Sequence, residues 1–212
     1  MYGVVMSTGL RALKKQQTRE NISRQATALF LQRGFDDVTI SEIAAAAQVA
    51  KMTVTNYFPR KEDIALDRRD EFVAAPVRAV AEREPGESAL AALRRSFLAA
   101  VERHDPVIGF SGPEFARMIA GSPALLARLR EFHDDRERAL ADAFAEESED
   151  AVLRGVAATL LIGVLRLLFE ETMRRTLAGQ PDDEIATAVA AHARRAFGVL
   201  EPGLGHYLVR VP

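Results

Sequence analysis

The residues best suited to chemistry lie in one short stretch, KMTVTNYFPRK, from Lys51 to Lys61. At helical spacing Val54 and Phe58 fall on one side, which leaves Met52, Thr53, Thr55 and Asn56 on the other. Short hydroxyl and amide groups on an exposed helix reach base edges in the DNA major groove, and a thioether offers apolar contact to thymine methyls. Lys51, Tyr57 and Lys61 bracket that face, where cations and a phenol meet phosphate. Catalysis has far less support. The chain has no Gly-x-Ser-x-Gly elbow, phosphate loop, Gly-x-Gly-x-x-Gly, His-Glu-x-x-His or Glu-x-x-His. We therefore expect no enzyme, no cofactor and no metal.

Two helices and a turn must hold such a face in place. Thr39 followed by Glu42 is a capping box that starts a helix, and Ile40, Ile43, Ala44 and Ala47 repeat at its period. Gln48 and Val49 interrupt it, and the Lys51–Phe58 helix follows until Pro59 breaks it. Upstream, a helix is expected from about Lys15 to Arg33 with Ile22, Ala26, Leu29 and Phe30 on one face. Gly34 should close it as a left-handed cap, with Phe35 folding back. Residues 1 to about 13 read as a loose arm. Lys14, Lys15 and Arg19 either touch phosphate or form a solvated basic helix end.

This stretch resembles the helix-turn-helix of the tetracycline-repressor (TetR) family. The resemblance rests on Thr39, Val49, Thr53, Tyr57-Phe58 and Lys61-Glu62, and extends back through Ala28-Leu29-Phe30 and Gly34-Phe35. Two positions depart from the family pattern: Gln48 stands where Gly is common, and Ala50 where Ser or Thr commonly caps the recognition helix. A missing cap of that kind costs about 0.5–2 kcal/mol. The resemblance implies that Thr39, Lys51, Met52, Thr53, Thr55, Asn56, Tyr57 and Lys61 form the contact surface for double-stranded DNA.

Charge distribution agrees with a localised nucleic-acid surface. From Arg11 to Lys61 there are nine Lys or Arg against four Asp or Glu, and 19 against 26 elsewhere, for a net charge of −2. All four lysines, Lys14, Lys15, Lys51 and Lys61, lie in that basic head. With no cysteine, disulfides and thiolate metal sites are excluded, which fits a reducing cytoplasm. The 11 apolar residues between Arg154 and Arg166 fall short of the roughly 18 needed to span a bilayer, so no membrane partner is expected.

At 212 residues and 48% hydrophobic content, the chain supports an all-α fold of about nine helices. We expect a DNA-binding domain over 14–60, a helical effector-binding and dimerisation domain over 61–200, and a tail over 201–212. A fourth helix should run from Lys61 to about Glu82, kinked or stopped early by Pro76. Further helical patterns fall at about 88–104, 113–120, 123–147, 151–178 and 182–200. The short 113–120 segment, flanked by Gly and Pro, reads as a gate.

The last two helices are the most apolar, and the resemblance implies that they form a four-helix dimer interface with their copies. Its residues would be Val156, Leu160, Val164, Leu167, Leu168, Val189, Ala193 and Phe197; the same pattern also suits buried core helices of a monomer. A small hydrophobic or amphipathic effector would lie against Phe97, Val101, Phe115, Met118, Ile119, Phe132, Leu161, Leu165, Arg166 and Phe169. Arg166 is either a cation at the pocket or dimer seam or an intrahelical partner of Glu170. His133 and Glu137 have a spacing that suits two ligands on one metal, yet the HDDRERA patch around them reads as a solvated face. The function expected is a dimeric repressor of a palindromic operator, released by its effector. The alternative is a helical small-molecule carrier with a vestigial head.

Overall fold

A computed structural model describes residues 3–211, with side-chain surroundings from residue 10 onward. Ten α-helices follow in order: α1 (Gly3–Arg33), α2 (Ile40–Ala46), α3 (Lys51–Tyr57), α4 (Lys61–Ala65), α5 (Arg69–Ala81), α6 (Ala89–Glu102), α7 (Pro113–Gly121), α8 (Pro123–Ala143), α9 (Ala151–Leu177) and α10 (Asp182–Leu204). No strand occurs among the described residues. The chain forms two compact units: Met1–Asp67 with Met118–Leu126, and Arg68–Arg117 with Ala127–Pro212. The first therefore takes in α4 and a later segment, beyond the expected 14–60.

In the first unit α1 buries Ile22, Ala26 and Phe30. Gly34 adopts φ +93°, its amide donates to the Phe30 carbonyl at 2.8 Å, and the Phe35 ring lies 5.1 Å from that of Phe30, as the cap required. The expected loose arm is instead helical from Gly3. The expected fourth helix is two, because the chain leaves helical geometry at Leu66 (φ −107°, ψ 48°). Asp67 explains the break: its carbonyl accepts from Arg19 at 3.1 Å and its carboxylate from the Ser23 hydroxyl, which ties it to α1. Downstream, α5 runs through Pro76 to Ala81 without the early stop.

The second unit is built on α6, α9 and α10, with α5 packed on α6. Ser88 caps α6 by accepting from the Ala91 amide at 3.2 Å, and Asp150 caps α9 through the amides of Val152 and Leu153. Leu90, Leu93, Phe144, Leu161, Ile185 and Phe197 fill the core between them. Gly109 is required where the loop after α6 meets α9: a Cβ there would stand 3.0 Å from the Thr172 side chain, and φ is +110°. Among the described residues, 201–211 do not form a free tail. Helix α10 continues to Leu204, and the Arg210 backbone pairs with Gly86 and Glu87 at 2.8 and 3.1 Å.

From Ala151 to Phe169 helix α9 is mostly apolar, but only one of its faces is buried inside the chain. By length and composition it could cross a bilayer, but its buried stripe packs against α6 and α10. Leu168, Val189, Ala193 and Phe197, expected at a seam between copies, are instead 3% exposed or less within their own chain. They have no surface left to offer a partner. Val156, Leu160 and Leu167 remain 43–59% exposed, beside Val152 and Leu153, and Val164 is half-buried.

Phe197→Ala is expected to destabilise the fold by about 3–5 kcal/mol, because it would empty a site that is 0% exposed. Urea unfolding checks this; a loss under about 1 kcal/mol would contradict a core role for this side chain.

Candidate nucleic-acid interface

Helix α2 is closed at both ends by named groups. At the start of α2, Thr39 Oγ1 accepts from the Glu42 amide at 3.3 Å, and Glu42 Oε2 accepts from the Thr39 amide at 2.8 Å. Arg33 donates to the other Glu42 oxygen at 2.8 Å. The Thr39 hydroxyl and amide, then Arg33, hold the Glu42 carboxyl down to about 2. At the other end the Val49 amide reaches the Ala44 carbonyl (3.0 Å) and the Gln48 amide that of Ala45 (3.1 Å), which is a Schellman closure. Gln48 occupies its left-handed position at φ +56°. Asn21 Nδ2 on α1 donates to the Ala47 carbonyl at 2.9 Å, so the end of α2 is pinned to the first helix.

Helix α3 has only seven residues and follows Ala50, whose side chain makes no cap. A helix so short is held by packing rather than by its own propensity. Val54 and Phe58 are 0% and 1% exposed, which turns Lys51, Met52, Thr55 and Asn56 outward, with Thr53 and Tyr57 half-buried at the edges. Met52 is 69% exposed. The Thr55 hydroxyl donates to the Met52 carbonyl at 3.1 Å, so its lone pairs are what it presents outward.

Three expected contacts are redirected. The Lys61 ammonium donates to the carbonyls of Phe35, Asp36 and Val38 at 2.8, 3.3 and 3.0 Å, which occupies all three of its hydrogens and leaves none for phosphate. It also stands 4.3 Å over the Phe35 ring. Arg19 donates to the Tyr57 and Asp67 carbonyls and lies 4.3 Å over Phe58, closing the end of α3 from α1. Both cations are clamps of the head. Thr39's hydroxyl is likewise committed to its cap.

The second unit holds a cleft of about 340 Å³ between α5, α6, α8 and α9, within the size range of small-molecule sites. Of the ten residues expected at an effector, Phe97 and Leu165 line it. Val101 and Leu161 are buried core, and Phe115 is half-buried outside it. Met118 and Ile119 belong to the first unit. Phe132 lies under the guanidinium groups of Arg69 and Arg128, and Phe169 meets Phe72 and His133 edge-on. Arg166 is half-exposed and pairs with Glu170 at 3.2 Å, the intrahelical arrangement of the two considered.

The cleft is also more charged than the apolar expectation. Glu71, Arg78, Glu82, Arg95, Arg103, Asp105 and Arg136 all line it. His133 is not on a solvated face: it is 6% exposed against Phe72, and burial, then Arg136 and Arg166, lowers its pKa to about 3. Glu137 accepts from the Thr159 hydroxyl at 2.7 Å. One signal for Arg136 was present in the sequence, since it continues the stripe of Leu125, Phe132 and Leu140 along α8.

Residues 22–67 match the model of the family described as bacterial regulatory proteins, tetR family. Over 138 residues the chain is 31% identical to the HTH-type transcriptional regulator TcmR of Streptomyces glaucescens, a match spanning 63% of this chain and 61% of that protein. The match thus covers less than two thirds of that relative's length. Among solved structures, the SmeT–triclosan complex shares 15% identity at a TM-score of 0.58, covering 92% of this chain and 95% of SmeT. Thermus thermophilus FadR, a TetR-family transcriptional repressor in complex with lauroyl-CoA, shares 26% identity at a TM-score of 0.50, covering 92% and 97%.

The two departures in the turn give two independent tests of one geometry. Gln48→Gly is expected to stabilise the protein by about 1 kcal/mol by removing left-handed strain, and Ala50→Ser by about 0.5–2 kcal/mol by capping α3. Urea unfolding reads both; destabilisation by either change would contradict the turn described.

Proposed function

We propose that the chain is a TetR-family transcriptional repressor that binds a palindromic operator as a homodimer and is released by a small molecule, a reading supported by the family match over residues 22–67 and by the likeness to TcmR. The observation that carries this reading is α3: its apolar side is buried, its polar side is exposed, and it lies within the segment that matches the family. Met52, Thr53, Thr55 and Asn56 read base edges and thymine methyls, while Lys51 and Tyr57 meet phosphate. Lys61, Arg19 and Thr39 hold the reading helix in position instead of touching DNA themselves.

The exposed apolar face of α9 supports a two-fold partner. Val152, Leu153, Val156, Leu160 and Leu167 lie along one helix, with Val199 exposed on α10. A second copy covering that face would place two reading helices on successive major grooves, about 34–36 Å apart. The body's cleft takes the effector, and its occupancy lowers operator affinity through a coupling of about 1–3 kcal/mol. SmeT with triclosan and FadR with lauroyl-CoA are bound complexes of proteins that share this fold, which supports a small-molecule effector. Such a regulator works in the cytoplasm, where the chromosome is.

Two measurements test the reading. Thr53→Ala with Asn56→Ala is expected to erase about 1–3 kcal/mol of preference for operator over random duplex for each base edge no longer read, measured by fluorescence anisotropy at fixed salt. Unchanged preference would contradict base reading by α3. Val156→Glu with Leu160→Glu is expected to convert a dimer to a monomer in sedimentation velocity. A variant that still sediments as a dimer would place the interface elsewhere.

A further inference from the structure

One arginine of the body is buried without an acid. Arg136 is 4% exposed and lines the cleft, and its Nε has no hydrogen-bond partner. Its guanidinium carbon stands 4.1 Å over the Phe72 ring, a favourable contact that supplies no anion. Arg83, equally buried at 5%, shows the ordinary solution: it donates to the Val80 and Leu208 carbonyls and pairs with Glu147. A cation taken out of water without such partners is retained at a cost to stability, which is the usual mark of a group kept for a ligand.

Among the described residues, none of the cleft's three carboxylates, Glu71, Glu82 and Asp105, forms an ion pair with Arg136. Glu71, on the cleft wall, is held by both arms of the Arg68 guanidinium at 2.8 and 2.7 Å. Asp105 lies 3.5 Å from Arg68 and 3.8 Å from Arg103, and accepts from the Val107 amide at 2.9 Å. His133, one turn from Arg136, is neutral at physiological pH, and its Nδ1 also lacks a partner. Burial lowers the Arg136 pKa to about 9, so the group is still charged near neutrality. Apolar walls complete the site, from Pro76, Leu93, Phe97, Ile108 and Leu165.

We infer that this cleft takes an organic carboxylate of modest size, with its carboxylate on the Arg136 guanidinium and its hydrocarbon part against Phe97, Ile108 and Leu165. The planar guanidinium fork matches a carboxylate with two parallel hydrogen bonds, and the low-dielectric surroundings strengthen the pair. This deepens the proposed function, resting on it only in treating the bound acid as the effector.

Calorimetric titration of the purified full chain tests it, using decanoate against decan-1-ol, 2-naphthoate against 2-naphthylmethanol, and inorganic phosphate. At least one acid is expected to bind about tenfold or more tightly than its alcohol. Arg136→Met should abolish that preference, and Arg136→Lys should keep part of it, since a point charge remains without the fork. Ligand-free Arg136→Met should melt about 2–4 °C higher than the parent. The inference is overturned if neither acid binds, if the alcohols bind as well, if only phosphate binds, if the preference survives Arg136→Met, or if that variant melts lower. Acid binding through Arg136 with no change in operator affinity would uphold this inference and contradict the effector role; failure of acid binding would leave operator recognition untouched.

Discussion

The burial of Val54 and Phe58 is the constraint on which the DNA-facing surface depends. A seven-residue helix lacks the length to persist in water, so α3 exists because those two side chains are held in the head's core. Their position also decides which face of α3 turns to solvent. The surrounding polar contacts preserve that orientation: Asn21 holds the end of α2, Arg19 the end of α3, and Lys61 the loop before α2. Two cations that a charge count assigns to DNA or solvent, together with one neutral amide, therefore build the platform from which others act.

The head was legible in the sequence because its signals are local. A capping box at Thr39 and Glu42, a glycine cap at Gly34 and a break at Pro59 each act within a few residues, and each recurs in the structure. The break between α4 and α5 was not legible, since it depends on Asp67 meeting Arg19 and Ser23, more than 40 positions away. Lys61 illustrates the same limit. Sequence gives its charge, but only the fold gives the three carbonyls that consume it.

The body was legible as helices but not as surfaces. An apolar stripe such as Val189, Ala193 and Phe197 has the same period whether it faces its own core or a second chain. Helix α9 adds a second apolar face opposite the first, and composition alone cannot say which face is covered. The charged lining of the cleft is hidden for a related reason: HDDRERA looks like a solvated run, although His133 and Arg136 turn inward from it. Charge in a sequence marks cost or function only once burial is known.

The most direct measurement is enrichment of duplexes from a random pool by the purified protein. The proposed two-fold pair of α3 helices predicts an enriched inverted repeat whose half-sites are centred about 10–10.5 base pairs apart, or a multiple of that spacing. Enrichment of no common sequence, or of a single half-site without its inverted copy, would contradict the account.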